Sequence, residues 1–161
     1  MEIEVKIKGL MIDPITNMPI IILRDPNSES VLPIWVGIFE ANAIALEIEK
    51  ISPPRPMTHD LLRDVIQGLA ARIDRVVITD LKENTFYALI HFQHAAGALA
   101  VDSRPSDAIA LALRTASPIF VESDVLSRAK NMDLTADSSD NERLRKWLET
   151  LDEKELGKYE M

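Results

Sequence analysis

Pro53, Pro54 and Pro56 fall within the segment Ser52–Pro56, and no other stretch constrains the fold as strongly. Proline lacks a backbone N–H, fixes φ and drives the preceding residue out of the helical region, so no helix crosses here. The apolar positions Ala41, Ile44, Ile48 and Ile51 keep helical spacing up to this break. Beyond it, Thr58 is placed as an N-cap, with Met57 and Leu62 as a hydrophobic staple. The new helix presents Leu62, Ile66, Leu69 and Ile73 on one side.

The Ser-Pro step itself recurs. Val36, Ala43-Ile44-Ala45-Leu46 and Ser52-Pro53 return 65 positions later as Val101, Ala108-Ile109-Ala110-Leu111 and Ser117-Pro118. A duplicated βββαα unit sharing one core accounts for that echo. The strands fit it. Ile3, Val5 and Ile7 alternate with charged residues, Pro19–Leu23 is apolar throughout, and Val31–Val36 carries Pro33, which suggests an edge or a bulge. In the second half, Arg75–Thr79 and Thr85–Phe92 flank the turn Asp80–Asn84. Ala98–Val101 follows, then an apolar helix over Ala108–Leu113, a short strand Pro118–Val121 and a helix near Asp124–Lys130. The fold class is α+β: a mixed, largely antiparallel sheet, closed or pseudo-symmetric, with packed helices.

At 161 residues the chain suits one main domain, which we place at residues 1–135, with a helical appendage over 136–161. The appendage opens on the capping box Ser139-x-x-Glu142 and carries Leu144, Trp147, Leu148 and Leu151. The absence of cysteine excludes disulfides, cysteine-based metal sites and thiol catalysis. No apolar run approaches the length of a bilayer span and the N-terminus does not read as a signal peptide, so a soluble, cytoplasmic protein is expected. A net charge of −8 argues against strong unassisted binding to nucleic acid or anionic membranes.

Chemistry concentrates at two strand-to-helix elbows, Trp35–Asn42 and Val101–Ala108. Helix N-termini leave N–H groups unpaired and attract carboxylates or anions. Asp102 and Asp107 could share a divalent cation, with Arg104 holding a phosphate and Ser106 beside it; Glu40 takes the corresponding place in the first elbow. His59 beside Asp60 could supply an oriented general base. Each has a plainer reading: Glu40, Ser106 and Asp107 as helix-start stabilisers, Arg104 as an internal ion pair, and His59 and Asp60 as part of a cap or interface.

The segments PIWVGIFEANAIALEIE (33–49), RPMTHDLLRDVI (55–66), VVITDLKENTFYALIHF (76–92), VDSRPSDAIALALR (101–114) and PIFVES (118–123) resemble the bifunctional nuclease domain family. The resemblance implies metal-dependent, sequence-nonspecific hydrolysis of RNA and DNA phosphodiesters, with Mg²⁺ or Mn²⁺ as the cofactor. Glu40, His59, Asp60, Asp102, Arg104, Ser106 and Asp107 match its motif positions. In that reading Glu40, His59, Asp60, Asp102 and Asp107 are catalytic, Asp102 and Asp107 hold the metal, and Arg104 and Ser106 bind substrate. A non-catalytic, oligomeric ligand- or protein-binding module is the alternative. Ile3, Val5 and Ile7 on an edge strand, Trp35 and the Leu144–Leu151 stripe would supply the apolar contacts of a homodimer.

Overall fold

A computed structural model describes residues 1–130. Strands β1 (Glu2–Ile12), β2 (Pro19–Arg24) and β3 (Val31–Trp35) form an antiparallel meander, followed by helices α1 (Ile38–Ile48) and α2 (Thr58–Gly68). A second meander, β4 (Arg72–Lys82), β5 (Thr85–His94) and β6 (Gly97–Ser103), leads to α3 (Pro105–Thr115). Strand β7 (Ile119–Glu122) and helix α4 (Ser123–Ala129) complete the described chain. The strands make one mixed sheet in the order β3-β2-β1-β7-β4-β5-β6. Only the β4–β7 pairing is parallel among the described residues. The fold is therefore α+β, as expected.

The two halves share a strand order, each a meander running outward from the middle of the sheet, and α1 packs against α3. The sheet is open rather than closed, with β3 and β6 at its edges. Pro33 lies in edge strand β3, where a missing N–H costs least. β1 is not an edge strand: β7 inserts beside it, and Ile3 and Ile7 pack against the main core. Trp35 is likewise spoken for. It covers Ile20 and Ile22 on the second face of β2, which is buried from Pro19 to Leu23, and its indole N–H donates to Asp13 at 2.7 Å.

The main core lies between the sheet and the helices. Val5, Leu23, Val76, Ile78, Ile90 and Val121 face Ile44, Ile109 and Leu111 there. Two local expectations shift. The β4–β5 turn is only Glu83-Asn84, both with positive φ (50° and 61°), the geometry of a tight two-residue hairpin. Met57, not Thr58, is the N-cap of α2, and Asp60 reaches back to accept from its N–H at 3.0 Å. Ile73 lies on β4, not on the helix.

Helix α2 is strongly amphipathic, yet Ile66 alone of its leucine, isoleucine and valine residues packs against the main core: Leu61, Leu62 and Val65, and the C-cap Leu69, are exposed. No described helix is long and apolar enough to cross a membrane. The Ser139 capping box, the Leu144–Leu151 stripe and the proposed appendage lie outside the described residues.

Candidate functional site

Pro105 opens α3 in the position where a missing N–H costs nothing, and its fixed φ sets the helix start. Arg104 immediately before it is extended (φ −70°, ψ 145°), and Asp107 sits in the first helical turn. The sequence thus puts a guanidinium and a carboxylate three residues apart at one helix end. Arg104 Nε donates to Asp107 Oδ2 at 2.9 Å, and Arg104 Nη2 donates to Glu40 Oε1 at 2.9 Å, 64 residues away in sequence. Asp107 first, and Glu40 second, hold the Arg104 pKa above its ordinary value.

His59 completes the group from α2. Its Nε2 lies 2.9 Å from Asp107 Oδ1, and its side chain is only 13% exposed. An ionised carboxylate only accepts, so Nε2 carries the proton and Nδ1 is left as the basic nitrogen. The chain Glu40–Arg104–Asp107–His59 therefore joins the N-terminal ends of α1, α3 and α2. These carboxylates are not side-chain caps: neither the α1 nor the α3 N-cap makes a side-chain cap bond. Their place in the first turn remains favourable to the helix dipole.

The four residues line one cleft of about 840 Å³, floored by Leu62, Ile66, Ile90, Phe92 and Val101. Phe39 stands at its rim, 85% exposed. Asp102 lines the same cleft from the end of β6, exposed, with no hydrogen bond or ion pair among the described residues.

Asp60 and Ser106 do not join them. Asp60 is buried, with one oxygen on the Met57 N–H and the other on Arg114 Nε at 2.8 Å. Burial raises its pKa, but the Met57 N–H and Arg114 outweigh this and lower it overall. Ser106 is buried against a different cavity, lined by Trp35, Gly37 and Phe86. Arg114 was missed. It spends its guanidinium on Asp60, on Ala43 O and on Ala110 O, each at 2.8–2.9 Å, and so ties α2 and α1 to α3. Its signal was present: Asp107, Leu111 and Arg114 follow helical spacing, so an arginine recurs on the Asp107 face of an apolar helix.

The donor set does not suit the divalent cation expected at Asp102 and Asp107. Both Asp107 oxygens are engaged, and the Arg104 guanidinium stands where a cation between Asp107 and Glu40 would go. No three His, Asp or Glu side chains are grouped to hold a metal among the described residues.

A His–Asp pair and an arginine meet where three helices begin, on the open mixed sheet of a small α+β protein. The chain belongs to the bifunctional nuclease domain family, whose model matches residues 21–133. It is also 45% identical over 139 residues to two uncharacterized proteins of Mycobacterium tuberculosis, Rv1829 of strain H37Rv and MT1877 of strain CDC 1551. Those alignments span 86% of this chain and 82% of each relative.

Proposed function

We propose that this cleft hydrolyses phosphodiester bonds of RNA and DNA without sequence selectivity. The supporting observation is the His59–Asp107–Arg104 arrangement in a chain of this family. Arg104 uses two of its five N–H groups on Glu40 and Asp107 and is 65% exposed, so three remain for phosphate oxygens. His59 Nδ1 takes a proton from the attacking water as its oxygen bonds to phosphorus, and Asp107 fixes the ring and stabilises the imidazolium that results. The P–O bond to the leaving sugar oxygen breaks, and that oxygen takes a proton from solvent. Glu40 steers the guanidinium, and Asp60 positions α2. Asp102 adds a further carboxylate with no role assigned in this reading.

Labelled single-stranded RNA and DNA, incubated with the protein in EDTA, Mg²⁺ or Mn²⁺, test the reading. Cleavage lost in His59→Gln supports it, and equal cleavage by His59→Gln overturns it. The metal arms decide whether Mg²⁺ or Mn²⁺ assists. The reading assumes a cytoplasmic setting, where a chain without cysteine lacks nothing it needs.

A second reading, a homodimeric binding module, draws on the uncovered apolar residues that flank the same cleft. Leu61, Val65 and Leu69 on α2 and Leu99 on edge strand β6 are exposed, and such stripes beside an open edge commonly mark contacts. A monomer at micromolar concentration by light scattering overturns it.

A further inference from the structure

At the far ends of α1 and α3, away from the cleft, β1 parts company with β7. The two pair only over Glu2–Val5, whereas from Lys6 onward β1 pairs with β2 alone. The parting leaves a notch of about 560 Å³ walled by Val5, Ile7, Leu10, Ile48, Leu113 and Ile119. This is the volume of ordinary small-molecule sites, and its walls are apolar.

A bulge falls at the same place. Ile7 pairs with Leu23 and Gly9 with Ile22, so Lys8 is the extra residue. Bulges re-aim side chains and gather at sites of function. Lys8 lines the notch, is half-buried, and has no ion pair or hydrogen bond among the described residues. Next to the notch, and sharing Lys6, Ile7 and Lys8 with it, runs a groove of about 460 Å³. Arg24 and Pro26 complete that groove, and no acidic residue is among its described lining. Lys6 stands directly opposite Arg24 across the strands, and it is also bonded to Glu4 at 2.9 Å. Glu49 is the one acidic residue of the apolar notch, which sends an anionic group to the basic side.

We propose that these adjoining cavities bind a single-chain amphiphile, its alkyl chain in the notch and a phosphate head on Lys8, with Lys6 beside it. The site shares no residue with the cleft, so it stands or falls separately from the nuclease reading. Titration calorimetry of the full chain with decyl phosphate, below its micellar concentration, tests it. One molecule should bind per chain. Lys8→Gln should weaken binding by about tenfold through loss of one charge-assisted contact. Ile48→Trp, at a position 38% exposed, should block the notch and abolish binding with melting unchanged. Inorganic phosphate and decyl maltoside should each bind at least about tenfold more weakly, since each offers only half of the contacts.

Four results would overturn the proposal. They are no binding of decyl phosphate, binding indifferent to both variants, phosphate alone binding as well, and binding only to phosphatidylglycerol vesicles. Competition between decyl phosphate and self-association of the chain would assign the notch to a second copy, and would overturn it too.

Discussion

Arg114 and Asp60 meet at 2.8 Å with side chains 1% and 9% exposed, and this buried pair is what carries His59 to Asp107. Asp60 is the next residue after His59, and Arg114 lies two helical turns beyond Asp107. Removing either partner strands a buried charge. Arg114→Ala and Asp60→Ala should each cost about 3–5 kcal/mol in urea melts. The double variant should cost much less than the sum, because the second change removes a charge the first left unpaired. Additive losses would show that the pair is not coupled.

The His59–Asp107 contact makes a sharper demand. Asp107→Asn keeps size and shape but loses the acceptor that holds the imidazole. Cleavage should fall by about 10²-fold or more, with stability changed by no more than about 1 kcal/mol. Arg104→Lys keeps the charge and loses the planar fork that spans Glu40 and Asp107. A raised KM at nearly constant kcat identifies Arg104 with substrate; a fall in stability alone identifies it as an internal tie. Steady-state kinetics beside thermal melts separate the two.

Gly37 gives a test that leaves every charge in place. Its backbone (φ −68°, ψ 156°) suits any residue, but a Cβ there would run into the Glu40 carboxylate. Gly37→Ala should push Glu40 off Arg104 and reproduce the kinetic effect of Glu40→Gln while costing stability only about 0.5 kcal/mol. Different kinetic signatures for the two variants would detach Glu40 from the role of steering Arg104.

Acid should weaken the fold through particular carboxylates. Hydrogen bonds from Arg128, then Lys82 and the Leu81 N–H, lower the Asp80 pKa from 3.8 to about 2. In Asp13, burial raises the pKa, and donation from Thr16, Trp35 and the Ile15 N–H outweighs it to leave it lowered. A carboxyl whose pKa is lower in the folded chain stabilises it fully above its unfolded value. That contribution fades as pH falls through the folded value. Urea melts should therefore show stability dropping from about pH 4 toward pH 2, with a shallower slope in Asp80→Asn.

Nucleic-acid binding should be weak and salt-sensitive. The chain carries net charge −8, and the cleft sets Glu40, Asp102 and Asp107 against Arg104. Affinity for labelled single strands should drop steeply between about 50 and 200 mM monovalent salt. Tight binding in EDTA at moderate salt would contradict this.

Much of the fold was legible in local patterns. The strand Pro19–Leu23, apolar throughout, is buried on both faces, and Pro33 lies in an edge strand. The parts that escaped depend on long-range placement. No local pattern announces that β7 will lie beside β1, so β1 resembled an edge. Helical spacing in α2 promised burial, yet Leu61, Leu62, Val65 and the following Leu69 are exposed among the described residues. At the site, the elbows gave Glu40, Arg104 and Asp107, and the helix start after the proline segment gave His59, because helix starts and charges are visible in one dimension. The sequence could not show that Arg104 would reach Glu40, 64 residues away, as well as Asp107, nor that Asp60 would turn inward to Arg114.

The four-residue strand β7 fixes when this protein can fold during synthesis. It is the sole bridge between the meanders among the described strands, pairing with β1 on one side and β4 on the other. Each meander can zip up through local contacts as it leaves the ribosome, but the joined sheet must wait for residues 119–122. Closing a loop of more than a hundred residues onto β1 is an entropically slow step, paid late. Until then the inner flank of each meander is an open strand edge, and that interval is when the nascent chain is most exposed to mispairing with its neighbours.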